Sequence, residues 1–336
     1  MSQRIRLGFL THSEGAGDPR HIYQETLELF VAAEQLGFEV GWLAEHHFKE
    51  VAGRLPSLFP MLAAAAQRTR RIRLGASVIL LPFTHPLRVA EDAAVVDALS
   101  DGRLELGVGS GGDPLEFEAY GVDLAKRHPL TTDALATLQR ALRGEALGAS
   151  GQTLQPPAPT LVDRLWQSAV SVEGAQYVAT QRAGLLLARS AWMNGTATDQ
   201  NQLPVAQAFQ AAWPASLLGM SAPPLALSRG IYPAADKRTA LAELRTGVGL
   251  FVDRLVKQGQ LPSGLSFEAY CGRLHIAYGH PEEIVEFLLA DKILPFATDL
   301  ILQFNPATPP LARAIQMFEQ IATQIAPALG WQPGTR

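Results

Sequence analysis

Short apolar, β-branched runs alternate along the chain with longer stretches whose apolar residues recur at helical spacing. IRLGFL (5–10) has the length and composition of a strand. Residues 20–36 carry Ile22, Leu27, Phe30, Val31 and Leu36 on a helical period that Gly37 stops. VGWLAEHH (40–47) reads as a second strand, an Ala-rich helix follows over 57–68, and IRLGASVIL (72–80) is the third strand. Pro86 suits the first turn of a helix that runs to Leu99, Asp101-Gly102 ends that unit, and RLELGVGS (103–110) is the fourth strand. Helical pattern fills 114–143 with a break near Pro129, and a Gly/Pro-rich connection over 144–160 leads to the fifth strand, LWQSAV (165–170). A helix over 173–183 and strands at GLLLAR (184–189) and PLALSRGIY (224–232) come next. Helices over 235–257 and 281–290, a strand at DLILQF (299–304) and a closing helix over 310–326 complete the order. The stretch 190–224 is rich in Ala, Gln and Pro without a clear period, and 259–280 reads as irregular.

Eight strands, each followed by helix, imply parallel pairing with right-handed crossovers. A single (β/α)8 TIM barrel over 1–336, with insertions after strands 4, 6 and 7, uses all eight without leftovers. A doubly wound open sheet shares the same local pattern and stays open as an alternative. No fixed short repeat is visible, which argues against a solenoid.

With 47% hydrophobic and 18% charged residues among 336, the chain is composed to fold. Its 28 Lys and Arg against 32 Asp and Glu give a net charge of −4 and no basic stripe, so neither nucleic acid nor an anionic membrane surface is an expected partner. Cys271 is the only cysteine, which excludes an intrachain disulfide and argues against a cysteine-built metal site. The N-terminal apolar run is only a strand long, and no window approaches the roughly 20 apolar residues of a membrane span. A cytoplasmic protein is the expectation.

In a barrel, catalytic groups belong where strands end and helices begin. Strand 1 ends in Thr11-His12, strand 2 in Glu45-His46-His47, strand 3 near Ser77-Val78, strand 5 in Ser168 to Ser171 and strand 8 in Gln303-Phe304-Asn305. Adjacent strand residues point to opposite faces, and HExxH spacing is absent, so His46 and His47 do not read as a metal pair. A general base is the better functional reading of His46, because imidazole titrates near neutrality; a packed or surface histidine is the plainer alternative, more so for His47. The loop 107–112 matches G-x-G-x-x-G, but no later strand ends in the acidic residue a dinucleotide site requires. Asp113-Pro114 instead reads as an N-cap and first turn, and the glycines as a strand-end turn that permits close approach to the backbone. Ser171-Val-Glu-Gly174 opens the helix after strand 5, either as a phosphate-binding helix start or as a plain serine cap.

Taken together, these stretches resemble the bacterial luciferase-like flavin monooxygenase family. The resemblance is carried by RLGFLTH at the start and EQLGFEVGWLAEHHF (34–48). It continues through RIRLGASVILLPFTHPLRVAEDAAVVDALSDGRLELGVGSG (71–111) and EFEAYGVD (116–123). At the far end GHPEEIVEFLL (279–289) is similar to the family's GTPEE segment. The match spans nearly the whole chain and is strong over roughly its first third. LWQSAVSVEGA (165–175) and GLLLARS (184–190) are similar to a subgroup of FMN-dependent members.

The resemblance implies a barrel that uses reduced FMN, supplied in trans by a flavin reductase, and O2 to oxygenate a small organic substrate through a C4a-peroxyflavin. It implies that His46 is the catalytic histidine, and that Ser77 and Val78 form a non-prolyl cis peptide under the flavin ring. It puts Gly109 and Ser110 beside the flavin, and Ser171 and Gly174 in the phosphate-binding turn. Ser110 and Val170 stand where luciferase has an arginine and a glutamate, which implies loosely held FMN. Two alternatives remain: an F420-dependent oxidoreductase on the same barrel, and a non-catalytic flavin-binding subunit. Segments 190–224 and 259–280 are the expected lids, and the apolar run Ala76 to Leu81 with Trp42 the expected dry wall. A homodimer is expected through the helices after strands 2 and 3, on a face bearing Leu87, Ala90, Ala94 and Ala98.

Overall fold

The computed structural model describes residues 4–50, 53–192, 195–214 and 222–333. In chain order they form β1 (Arg6–Thr11), α1 (Pro19–Gln35), β2 (Val40–Leu43), α2 (Leu58–Arg68), β3 (Arg73–Leu80), α3 (Pro86–Leu99) and β4 (Leu104–Gly109). Next come α4 (Pro114–Tyr120), α5 (Arg127–Leu142), β5 (Leu165–Ser168), α6 (Val172–Thr180), β6 (Gly184–Leu187) and α7 (Thr198–Ala212). The chain closes with β7 (Leu225–Pro233), α8 (Lys237–Lys257), α9 (Phe267–Arg273), β8 (Ile276–Gly279), α10 (Pro281–Leu289), β9 (Asp299–Gln303) and α11 (Leu311–Gln320).

Strands β1 to β7 pair in sequence order, all parallel, and β9 lies between β7 and β1. Because β6 pairs with β7 and β9 with β1, no edge is left: the sheet is a closed eight-stranded (β/α)8 barrel, and the open doubly wound alternative is excluded. Strand β8 is extra. It pairs only with the last residues of β7, from Gly230↔Ile276 to Pro233↔Gly279, above the barrel wall.

Alternation along each strand sorts side chains into two cores. Phe9, Leu43, Leu74, Leu106 and Leu300 face outward into the layer under the helices. Leu10, Val40, Trp42, Trp166, Leu186 and Ile301 fill the barrel itself. Trp42 meets Trp166 edge-on, centroids 5.7 Å apart, and fits because Gly75 has no side chain: a Cβ there would stand 2.2 Å from Trp42 Cε3. Trp42 is therefore barrel core rather than a wall of the mouth. Below it, buried Glu105 accepts hydrogen bonds from Trp166 Nε1 (2.6 Å), Arg73 Nε (2.5 Å) and Arg6 Nη1 (3.1 Å), and Arg6 also pairs with Asp299 at 2.6 Å. This network plugs the end of the barrel opposite the site.

Three expectations need correcting. Residues 259–280 are not irregular: α9 and β8 pack Tyr270, Cys271, Leu274 and Ile276 against α8 in a core of their own. The Cys271 thiol is buried there, and burial pushes it up to about 12. Within 190–224, residues 198–212 form α7, whose Val205, Ala206 and Phe209 are buried against α6, so the helix belongs to the barrel's outer ring. Residues 193–194 and 215–221 of that stretch lie outside the described residues. The third concerns α3. Ala90 and Ala94 are covered within the chain, since α3 is flanked by both α2 and α5, and the exposed apolar side chains of α3 are those of Val95, Ala98 and Leu99.

Candidate active site

β2 runs out at the C-terminal mouth of the barrel into Glu45-His46-His47, and the two imidazoles part company there. His47 is buried and clamped. Its Nε2 lies 2.8 Å from Glu45 Oε1, its Nδ1 lies 3.0 Å from the Tyr120 hydroxyl, and its backbone N–H donates to Glu116 Oε1. Both ring nitrogens are engaged, so it braces the turn. His46 is half-buried and turns toward the mouth. Its backbone N–H donates to the Leu55 carbonyl (3.1 Å), and its ring rests on Gly53. Gly53 has φ +80°, and a Cβ there would lie 2.4 Å from His46 Cδ2. Both the dihedral and the contact require glycine.

His46 Nε2 stands 2.9 Å from Nδ1 of His12, which follows β1, and the two rings stack at 5.1 Å and 14°. His12 Nε2 is 3.2 Å from Gln303 Oε1 at the end of β9, and Gln303 Nε2 donates to Ser228 Oγ of β7 at 2.6 Å. With the Gln303 amide placed this way, His12 Nε2–H donates to Gln303 and leaves Nδ1 as acceptor. His46 then donates from Nε2 and keeps a bare Nδ1. Four strands thus contribute one polar chain. Burial first, then the neighbouring His46 charge, pushes His12 down to about 3. Burial, with Lys49, His47 and Arg254 adding repulsion, pushes His46 down to about 4. Both rings are neutral at neutral pH. His12, Gln303 and Ser228 were not among the expected site residues. The signal available was strand-end position, which marks His12 and Gln303 but not their contact with His46.

The opposite side of the mouth is small and bare. The Ser77–Val78 peptide bond is cis, and both residues are half-buried. Gly109 packs so closely that a Cβ would stand 2.6 Å from Val78 Cγ2 and 2.7 Å from Ser168 Oγ. Ser110 is half-buried with its hydroxyl directed at the Gly111 carbonyl (3.4 Å). Ser171 caps α6, accepting from the Gly174 N–H at 3.1 Å, so that donor is already engaged. Val170 is 82% exposed. The G-x-G-x-x-G stretch is β4 and its exit, and Asp113 caps α4 as its spacing predicts.

Beside the histidine pair, a cavity of about 290 Å³ opens between the segments after β1 and β9, bounded in part by Thr11, His12, Glu14, Gln303 and Asn305. Burial pushes Glu14 up to about 7, with Arg189 and Asn305 pulling the other way. Among the described residues no group of three His, Cys, Asp or Glu is arranged to hold a metal ion, and no helix is long and apolar enough to cross a membrane.

A family model described as luciferase-like monooxygenase matches residues 5–284. The chain belongs to this family. It is an oxidoreductase of the luciferase-like monooxygenases. An uncharacterized protein of Sinorhizobium fredii is 32% identical over 229 residues, covering 66% of this chain and 67% of that protein. The oxygenase component of a flavin-dependent trigonelline monooxygenase from Acinetobacter baylyi is 32% identical over 117 residues, 34% of this chain and 32% of that protein. This luciferase-like chain thus spans about a third of the length of that relative. Among solved structures, the oxygenating constituent of 3,6-diketocamphane monooxygenase from Pseudomonas putida, in complex with FMN, superposes with a TM-score of 0.75 at 16% identity. That alignment covers 97% of this chain and 99% of that one, a likeness of fold.

Proposed function

We propose that this luciferase-like monooxygenase is the oxygenase component of a two-component system, taking reduced FMN from a separate reductase and using O2 to oxygenate a small organic substrate. The observation that carries the reading is the pair of neutral, hydrogen-bonded imidazoles, His12 and His46, facing a floor of small residues at the barrel mouth. The floor made by Ser77, Val78, Gly109 and Ser168 suits a flat ring that lies against the backbone, and the imidazole side supplies its polar edge. Reduced flavin, when bound, supplies the electrons that activate oxygen.

The remaining roles fall to this chain's own residues. His46 holds a proton on Nε2 and offers a bare Nδ1, so it can manage one proton without carrying a net charge into a dry site. Ser77, Val78 and Gly109 hold the ring. Ser110 and the start of α6 at Ser171 and Gly174 seat the phosphate. That seat is poor: Ser171 and Gly174 already bond each other, and neither Ser110 nor Val170 brings a charge. Each missing charge-assisted bond costs roughly 1.5–3 kcal/mol, which accounts for a flavin that exchanges with a reductase rather than staying bound. The large apolar side chains of Phe48, Leu115 and Val170, exposed after β2, β4 and β5, await a cover or a substrate. A homodimer across α3 is part of the same proposal, now resting on Val95 and Leu99 rather than Ala90 and Ala94.

Anaerobic titration with reduced FMN, reduced riboflavin and reduced F420 tests the cofactor. Saturable binding of reduced FMN, with oxidised FMN held more weakly, is expected. Preference for F420, or no flavin binding, would overturn the reading.

A further inference from the structure

Three arginines near the barrel illustrate how a guanidinium is normally satisfied, and one of them departs from the rule. Arg229 is fully buried and forks onto Asp291, with Nε–Oδ2 2.6 Å and Nη2–Oδ1 3.3 Å. Arg103 has no carboxylate partner but spends its donors on Ser100, Thr69, Ile72 and Ala66 at 2.7–3.2 Å. Arg189 differs. It stands just past the end of β6 at the mouth, half-buried, and its one hydrogen bond among the described residues runs from Nη1 to the Leu274 carbonyl at 3.2 Å. A guanidinium carries five N–H donors, so four have no protein partner among the described residues. No carboxylate within ion-pair distance neutralises it among the described residues, although its charge is felt at both His12 and Glu14.

The surroundings hold the group in place. Its stem crosses β7 at Gly230, where a Cβ would stand 3.1 Å from Arg189 Cδ. Its head lies 5.9 Å from the Phe251 ring centroid, and Arg254 approaches the same ring at 4.9 Å. Glu14, the acidic group on this side, is tied to Asn305 Nδ2 instead.

We propose that the mouth selects substrates bearing an acidic oxygen group on an apolar body, a carboxylate above all, and that Arg189 reads that group. The inference rests on the oxygenase reading and adds its substrate class. A half-buried guanidinium whose Nε and Nη2 have no partner among the described residues is the side chain best matched to a planar oxyanion, and Phe251 offers the apolar body a ring to lie against. The flavin phosphate is the competing anion. Its expected seat opens from β5 toward α6, whereas the Arg189 stem leads to β7, on the far side of β6.

Calorimetry with two matched pairs, decanoate against decanamide and 2-naphthoate against 2-naphthamide, tests this on the chain with and without reduced FMN under anaerobic conditions. Each acid is expected to bind about tenfold or more tighter than its amide. Arg189→Gln should reduce that ratio to near one with amide affinity unchanged, and Arg189→Lys should keep part of it. A ratio near one in the unmodified chain, including no binding by any probe, overturns the proposal without any variant having to fold. So does a ratio unchanged by Arg189→Gln. If Arg189→Gln weakens reduced FMN but not reduced riboflavin, the group serves the flavin phosphate and the proposal is also wrong. Loss of FMN binding would sink the oxygenase reading alone, since the acid-to-amide ratio is readable without flavin.

Discussion

His46 Nε2 and His12 Nδ1 lie 2.9 Å apart across the mouth of the barrel, one imidazole following β2 and the other β1. The contact means that the proton state of either ring is set by the other, and that Gln303 and Ser228 behind His12 fix the direction of the chain.

Nitrogen-detected NMR of the imidazoles should therefore find His46 as a single Nε2–H tautomer at pH 7. His12→Phe removes the acceptor, and the tautomer preference should be lost. An unchanged, fixed tautomer in that variant would mean that His12 does not orient His46.

The same burial makes an acid-side stability prediction. An exposed histidine titrates near 6.5, whereas folded His46 sits at about 4 and His12 at about 3. Below pH 6.5 the unfolded chain takes up protons that the folded chain refuses, so these groups lower stability as pH falls toward 4 and 3. The melting-temperature advantage of the unmodified chain over His46→Asn should shrink between pH 6.5 and 4 and change little above 7. An advantage that grows with acid would reverse the assigned direction.

Gly53 is under a double constraint from its φ of +80° and from the His46 ring. Gly53→Ala should cost about 1–2 kcal/mol in stability through the backbone. It should lower oxygenation by roughly 10²-fold by shifting the imidazole. Circular dichroism melting and oxygen consumption on the same sample separate the two effects. Wild-type turnover in a folded Gly53→Ala protein would show that the position of His46 is not critical.

Leu99 is 50% exposed and Val95 46%, while Ala94 is 1% exposed. Light scattering at tens of micromolar should report a dimer that Leu99→Arg dissociates with little change in melting. Ala94→Arg, in contrast, should unfold the chain, because it forces a charge into the layer between α2, α3 and α5. A wild-type monomer at that concentration would contradict the proposed dimer.

The barrel was legible because its signal is local: eight apolar runs of strand length, each followed by a 3.6-residue period, leave one economical closure. Residues 259–280 escaped because α9 and β8 are short, and their burial depends on α8, a partner outside the window. The α3 face was misassigned for a related reason. Alanines at Ala90 and Ala94 are equally good at pairing with a second subunit or with α2 and α5, and periodicity does not tell which. At the site, strand-end position marked His46, whereas Ser77 and Gly109 were picked out by the resemblance to the luciferase-like family; Ser77 lies inside β3 (Arg73–Leu80) rather than at its end. The link from His46 through His12 to Gln303 joins residues nearly 300 positions apart, from Gln303 back to His12, and only barrel closure brings them together. Arg189 gave no signal at all, since a guanidinium without an ion-pair partner among the described residues is visible only once its neighbours are placed.

In the proposed oxygenase, a neutral His46 manages the proton of the flavin-dependent oxygenation, and rapid mixing tests this role most directly. The chain loaded anaerobically with reduced FMN would be mixed with O2, following flavin reoxidation and hydrogen peroxide release in the unmodified protein and in His46→Asn. Reoxidation in the unmodified chain is expected to be slower than for free reduced FMN. In His46→Asn the rate of the oxygen reaction or its peroxide yield should change by about 10²–10⁴-fold, with reduced-FMN affinity altered far less. Identical traces for the two proteins, or equal loss of FMN affinity and oxygen chemistry together, would contradict it.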